Sequence, residues 1–151
     1  MLPADYIVDN ARERTRLDAL LETLSDEDLS LRLDNGLTIA AVLVHMAFWD
    51  DYCTELLRQW TLAGPIASRS NFEAVNGAIL HLASVVAVDS ARDLVRGAAS
   101  VVDAQVEALS SGLAAALLDA KDSDVFLRRS IHRGLHLDQI EDAISTVRPG
   151  V

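Results

Sequence analysis

Leu17, Leu20, Leu21 and Leu24 recur along one turn-by-turn stripe, the pattern by which an amphipathic α-helix buries a single face. The same period runs through most of the chain, and it constrains the fold more than any other feature. Strand signals are few, with three prolines, seven glycines and β-branched residues embedded in alanine- and leucine-rich segments of helical spacing. The expectation is an all-α fold. A first helix covers "ADYIVDNARERTRLDALLETL", and "SDEDLSLRLDNG" breaks it. Thr38 is placed to cap a second helix that runs to about Leu62, where "AGP" stops it. "SNFEAVNGAILHLA" starts a third helical region that "VDSARDLVRGAASVVDAQVEALSSG" continues after a break near Asp89, the two crossing the domain once. "DSDVFLRRSIHRGLHLDQIEDAISTV" is the last helix, closed by "RPG". Four crossings of roughly 30 Å each suit a four-helix bundle forming a single domain over residues 1–151.

Charge and hydropathy remove several function classes. The formal charge is −10, from 23 acidic and 13 basic residues, and the basic ones are scattered, so the clustered cations that nucleic-acid binding needs are missing. Half the residues are apolar, yet runs such as "LTIAAVLVHMAFW" are shorter than a membrane span and carry a histidine. The opening "MLPADYIVDNARERTR" lacks the basic start and apolar core of a secretory signal. A cytoplasmic protein with no membrane partner is expected, and the single cysteine, Cys53, agrees with a reducing compartment. No phosphate-binding or dinucleotide motif is visible.

"SIHRGLHLDQI" sets His132 and His136 four residues apart, which on a helix places both rings on one face. Such a pair arises readily by chance. The second helix supplies a test, because Val42, Met46, Trp49, Cys53, Leu56 and Trp60 form its apolar stripe and His45 falls on the flank, beside Ala41 and Tyr52. A lone inward histidine is ordinarily a core imidazole with one hydrogen bond. On the last helix, however, Val125, Leu135, Ile140 and Ala143 accompany His132 and His136 on one broad arc, so three imidazoles from two helices are expected to turn inward. Buried together without an ion they would leave several ring nitrogens short of partners, and three neutral nitrogen ligands with a position left open are the arrangement of catalytic metal sites.

"NGLTIAAVLVHMAFWD" followed far downstream by "HRGLHLDQI" resembles the DinB-like superfamily, which includes mycothiol-dependent maleylpyruvate isomerases and bacillithiol transferases. The resemblance covers most of the chain, from "LLETLSDEDL" through the Thr-initiated helix and "AVNGA" to the HxxxH helix. It implies a four-helix bundle in which His45, His132 and His136 bind a divalent metal: zinc, nickel, iron or manganese, since imidazole serves them all. This chain carries Leu37 where relatives commonly have tryptophan ahead of the threonine, a change that bears on packing and substrate more than on coordination.

The activity so implied is transfer of a low-molecular-weight thiol such as mycothiol to an electrophile, or a thiol-dependent isomerisation. The alternative is a non-enzymatic, stress-related bundle that binds metal or a small ligand. Trp49 and Tyr52 are expected to line a pocket above the metal, and Arg128 and Gln139 to reach a bound ligand's carboxylate or amide. His81 matches no ligand position and Cys53 reads as a small apolar filler. Asp50 points away from His45 and is expected to pair with a neighbouring helix, while a hydrogen bond near a helix start accounts for Asn76. Relatives are often dimers, and the alanine-rich helices offer faces for a homodimer, though no heptad register demands one.

Overall fold

Side-chain caps set most of the helix boundaries. Ser25 forms a capping box with Asp28, its hydroxyl accepting from Asp28 N at 3.1 Å while its own N–H donates to Asp28 Oδ2 at 2.7 Å. Thr38 accepts from Ala41 N at 3.1 Å, Asn71 from Ala74 N at 3.0 Å and Ser110 from Leu113 N at 3.2 Å. Gly64, at φ 80°, ends the second long helix in a conformation that favours glycine. The computed structural model describes residues 4–65, 71–120 and 124–148. Among these the chain is all-α: α1 (Ala4–Thr23), α2 (Asp26–Leu29), α3 (Ile39–Ala63), α4 (Phe72–Ala83), α5 (Val88–Glu107), α6 (Ser111–Asp119), a 3₁₀ turn at Asp124–Phe126, and α7 (Arg129–Val147). No single helix among the described residues is long and apolar enough to cross a membrane.

The expected first, second and last helices correspond to α1, α3 and α7. Two boundaries differ. The third region does not cross the domain as one unit, because α4 and α5 are separate helices: α4 packs on α3, and α5 alone lies along α3 and α1. The last helix starts at Arg129, after the 3₁₀ turn, which takes Val125 out of the helical register assumed for it. Ser70, Asp122, Ser123 and the "PG" of the closing "RPG" lie outside the described residues. The four long helices close a ring of contacts, α1 with α7, α7 with α3, α3 with α5 and α5 with α1.

Inside that ring the apolar core is divided. One cluster gathers Leu17 and Leu21 of α1, Leu43 and Met46 of α3, Val95 of α5, and Leu137 and Ile140 of α7. The other holds Tyr6, Cys53, Leu57, Trp60, Val102 and Leu127. On α1 and α3 a polar residue, Asn10 and Asp50, lies between the two along the helix, and Arg133 of α7 lies between Leu127, which precedes that helix, and Leu137. Asp103 joins them beside Val102 on α5. The Arg133 guanidinium is 1 % exposed and donates to Asn10 O at 3.0 Å, to Asp103 Oδ1 and Oδ2 at 3.1 and 3.2 Å, and to Asp50 Oδ2 at 3.2 Å. One side chain thus ties all four long helices.

Asn10 also starts α7. Arg128, at the N-cap position, provides no side-chain cap, and Asn10 Oδ1 accepts instead from Ser130 N at 2.8 Å while its amide donates to Leu127 O at 2.8 Å. Removing one partner from a buried ion pair leaves the other charge uncompensated, typically at a cost of about 3–5 kcal/mol. Arg133→Met leaves Asp50 with Arg129 alone and Asp103 with only the more distant Arg14, and is expected to lose stability of that order in urea unfolding. A loss below about 1 kcal/mol would show that the polar layer does not hold the helices together.

Candidate metal centre

His45 stands on the second turn of α3, and His132 and His136 stand one turn apart on α7. The three converge: one ring nitrogen from each lies within 4.8 Å of the other two. Ring centroids are 5.3 Å apart for His45–His132, 4.9 Å for His45–His136 and 4.6 Å for His132–His136. The closest pair is His132 Nε2 and His45 Nε2, at 3.3 Å. Two ligands each about 2.0–2.1 Å from a tetrahedral ion lie about 3.3–3.4 Å apart, so that separation fits two nitrogens on one ion.

The contacts around the rings set their protons. His136 Nδ1 is 2.8 Å from Gln139 Oε1, an oxygen that can only accept, so the proton is on Nδ1 and Nε2 presents a lone pair. Arg129 Nη2 lies 3.2 Å from His132 Nδ1, and a guanidinium can only donate, so in the ion-free protein the His132 proton is on Nε2, directed at His45 Nε2. His45 then carries its proton on Nδ1, a buried atom with no hydrogen-bond partner. Two of the three rings offer lone pairs at once. The third, as a neutral ring, offers one only when its proton moves from Nε2 to Nδ1 and the Arg129 contact is given up. The convergent ring nitrogens fit a divalent ion of the kind imidazole serves.

All three rings are held neutral. Burial lowers His45 from the ordinary 6.5 to about 4, helped by His136 and Arg129. Burial and then Arg129 lower His132 to about 2, and burial lowers His136. Arg129 is itself buried, donating through Nε to Asp50 Oδ1 at 2.8 Å and through Nη1 to Val125 O at 3.2 Å. Asp50 is therefore shared by Arg129 and Arg133, which meets the expectation that it pairs with a neighbouring helix.

A cavity of about 500 Å³ opens beside the histidines, walled by Trp49, Cys53, Phe72, Asn76, Val125, Phe126 and Arg129. Trp49 lines it as expected. Tyr52 packs on Trp49 at 5.2 Å between ring centroids and does not line the cavity. Arg128 also lies elsewhere, its guanidinium over the Tyr6 ring at 5.2 Å and 3.7 Å from Asp124. Extending the helix back to Asp122 put Arg128 on the site's arc, whereas the shorter α7 gives that place to Arg129. Gln139 supports His136 instead of facing this cavity.

Leu135 does not share the histidines' arc either: it is 56 % exposed, one position before His136 and so about 100° round the helix. His81 is exposed, and Cys53 is fully buried with burial pushing its thiol up to about 11, so it serves as wall and not as nucleophile. Asn76 is not a start cap, since Asn71 has that role. Its Oδ1 accepts from Trp49 Nε1 at 2.9 Å. Sequence reading passed over Arg129, Phe72 and the use of Asn76. Only the "RR" doublet three residues before His132 could have pointed to the first. No family model, curated protein or solved structure matches the chain.

Neutral buried imidazoles make the ion-free protein sensitive to acid. Because the folded-state values lie below 6.5, the contribution to stability is complete above about pH 6.5 and is lost as pH falls towards about 4, where His45 protonates. The urea midpoint of metal-free protein is expected to drop over that window more steeply than that of His45→Leu. Identical slopes would place the acid sensitivity elsewhere.

Proposed function

We propose that this chain is a DinB-like four-helix bundle whose His45, His132 and His136 hold one divalent metal ion, and that it transfers a low-molecular-weight thiol to an organic electrophile, or uses the thiol in an isomerisation. The observation that carries the reading is the convergence of three imidazole nitrogens from α3 and α7 within 4.8 Å. The closed ring of long helices and the quoted motifs support the family assignment. An ion bound there lowers the pKa of a thiol or water that it coordinates, so that the nucleophile is available near neutral pH.

The protein's own part is positioning and exclusion. Gln139 fixes the His136 tautomer, and Arg129, anchored by Asp50, orients the His132 ring before an ion binds. The apolar walls from Trp49, Phe72 and Phe126 keep water away from the reacting groups. A metal-binding protein without turnover is the second reading. It is favoured by the lack of an unengaged carboxylate among the described residues that line the cavity.

Metal analysis of purified protein is expected to give about one zinc or nickel ion per chain, with His45→Ala losing at least a hundredfold in affinity. Gln139→Leu, which removes only the support of His136, is expected to lose about ten- to a hundredfold. Equal metal content in wild type and His45→Ala would remove the proposed centre. Metal-dependent consumption of a thiol offered with an electrophile separates the enzyme from the binder.

A further inference from the structure

The cavity beside the histidines carries its own specificity in one hydrogen-bonded pair. Trp49 Nε1 is an indole N–H, which can only donate, and it lies 2.9 Å from Asn76 Oδ1. That contact fixes the orientation of the Asn76 amide: the oxygen faces the indole, so the NH₂ group is turned away from it. Asn76 is half-buried on α4 and lines the cavity, and its Nδ2 has no partner among the described residues. Outside the three histidines, Arg129 and Cys53 the wall is aromatic and aliphatic, with the Trp49 and Phe72 rings 5.4 Å apart and inclined at 48°, and with Phe126 and Val125 beside them. The Arg129 guanidinium at the cavity's edge gives three of its five N–H groups to Asp50, Val125 O and His132, and its charge is paired with Asp50.

We infer that this cavity binds an uncharged aromatic carbonyl compound, its ring against Trp49 and Phe72 and its oxygen accepting from Asn76 Nδ2. Flat π-faces favour a flat apolar ligand, and Asn76 supplies the one oriented amide donor on the wall outside the imidazole cluster and Arg129, which selects a single acceptor. Asn76 is thus a specificity residue, and Trp49 acts through it as well as through its own ring. The inference takes the cavity's occupant to be the electrophile of the proposed reaction and rests on that reading for this step only. Binding of the carbonyl compound does not require the ion.

The test uses acetophenone and α-methylstyrene, two molecules of nearly the same shape that differ in replacing C=O by C=CH₂. Each is titrated into metal-free and zinc-loaded protein, with the Trp49 indole N–H resonance as the reporter. Acetophenone is expected to bind metal-free wild type about fivefold more tightly than α-methylstyrene, the worth of one hydrogen bond. Asn76→Asp keeps the oxygen that Trp49 needs and removes the donor, and Asn76→Leu removes both. In each variant the preference should vanish while α-methylstyrene still shifts the Trp49 signal, which also shows that the cavity is intact. Equal binding of the two probes by wild type, a preference that survives in either variant, or no shift of Trp49 with either probe overturns the inference. Acetophenone binding that requires zinc would overturn it too, by assigning the oxygen to the ion, while supporting the metal reading.

Discussion

The Arg133 guanidinium, buried at the level where the two apolar clusters meet, is the contact on which the rest of the molecule depends. Burying a cation in a helical core is unfavourable by several kcal/mol unless its donors are met and its charge balanced. Four of the five N–H groups of a guanidinium can reach Asn10 O, Asp50 and Asp103 here, and Nε alone is left without a partner. Because those acceptors belong to three different helices and the arginine to a fourth, the layer fixes how far each helix can slide along its neighbours. Apolar packing alone tolerates such slips, since one leucine contact resembles the next.

That fixed register is what brings the histidines together. His132 directly precedes Arg133 on α7, and His136 lies one turn on, so the depth at which Arg133 enters sets the depth of both rings. On α3, Asp50 lies five residues beyond His45 and is held from α7 by Arg133 and Arg129. A slide of α7 by one turn against α3 would move the rings by about 5.4 Å, more than the whole spread of the three nitrogens. The structural layer and the proposed chemical centre therefore share a residue, Asp50, and Arg129 joins one to the other through His132 Nδ1.

How much of this could be read from the sequence depends on the length scale of each signal. Helical periodicity, Thr38 as a cap and the inward placement of His45, His132 and His136 are local properties of one helix, and they were legible. The break between α4 and α5 was expected near Asp89, but not that α4 packs on α3 while α5 alone lies along α3 and α1, because apolar spacing does not show which neighbour a helix packs on. Arg128 was expected at the site and Arg129 was passed over because a 3₁₀ turn shifts the register, and periodicity cannot reveal where the α-helix begins. The burial of Arg129, Arg133 and Asp103 ran against the usual exposure of charged residues, and only partners on other helices make it tolerable. Such pairings are long-range and leave no mark on any one helix.

Charge balance within the layer bears on what the proposed centre would accept. Arg129 and Arg133 are matched by Asp50 and Asp103, so the layer beneath the histidines has no net charge to offer a cation. The nearest member is nevertheless positive, since the Arg129 guanidinium contacts the His132 ring and helps to hold all three imidazoles neutral. Three uncharged ligands under a positive neighbour leave the charge of a dication uncompensated. The remaining position then favours an anionic ligand over a neutral one, and in a carbon-walled cavity that preference is felt more strongly than in water. In the proposed reaction a thiolate would meet the requirement and an uncharged electrophile would lie beside it, which would separate the two reactants by charge within one cavity.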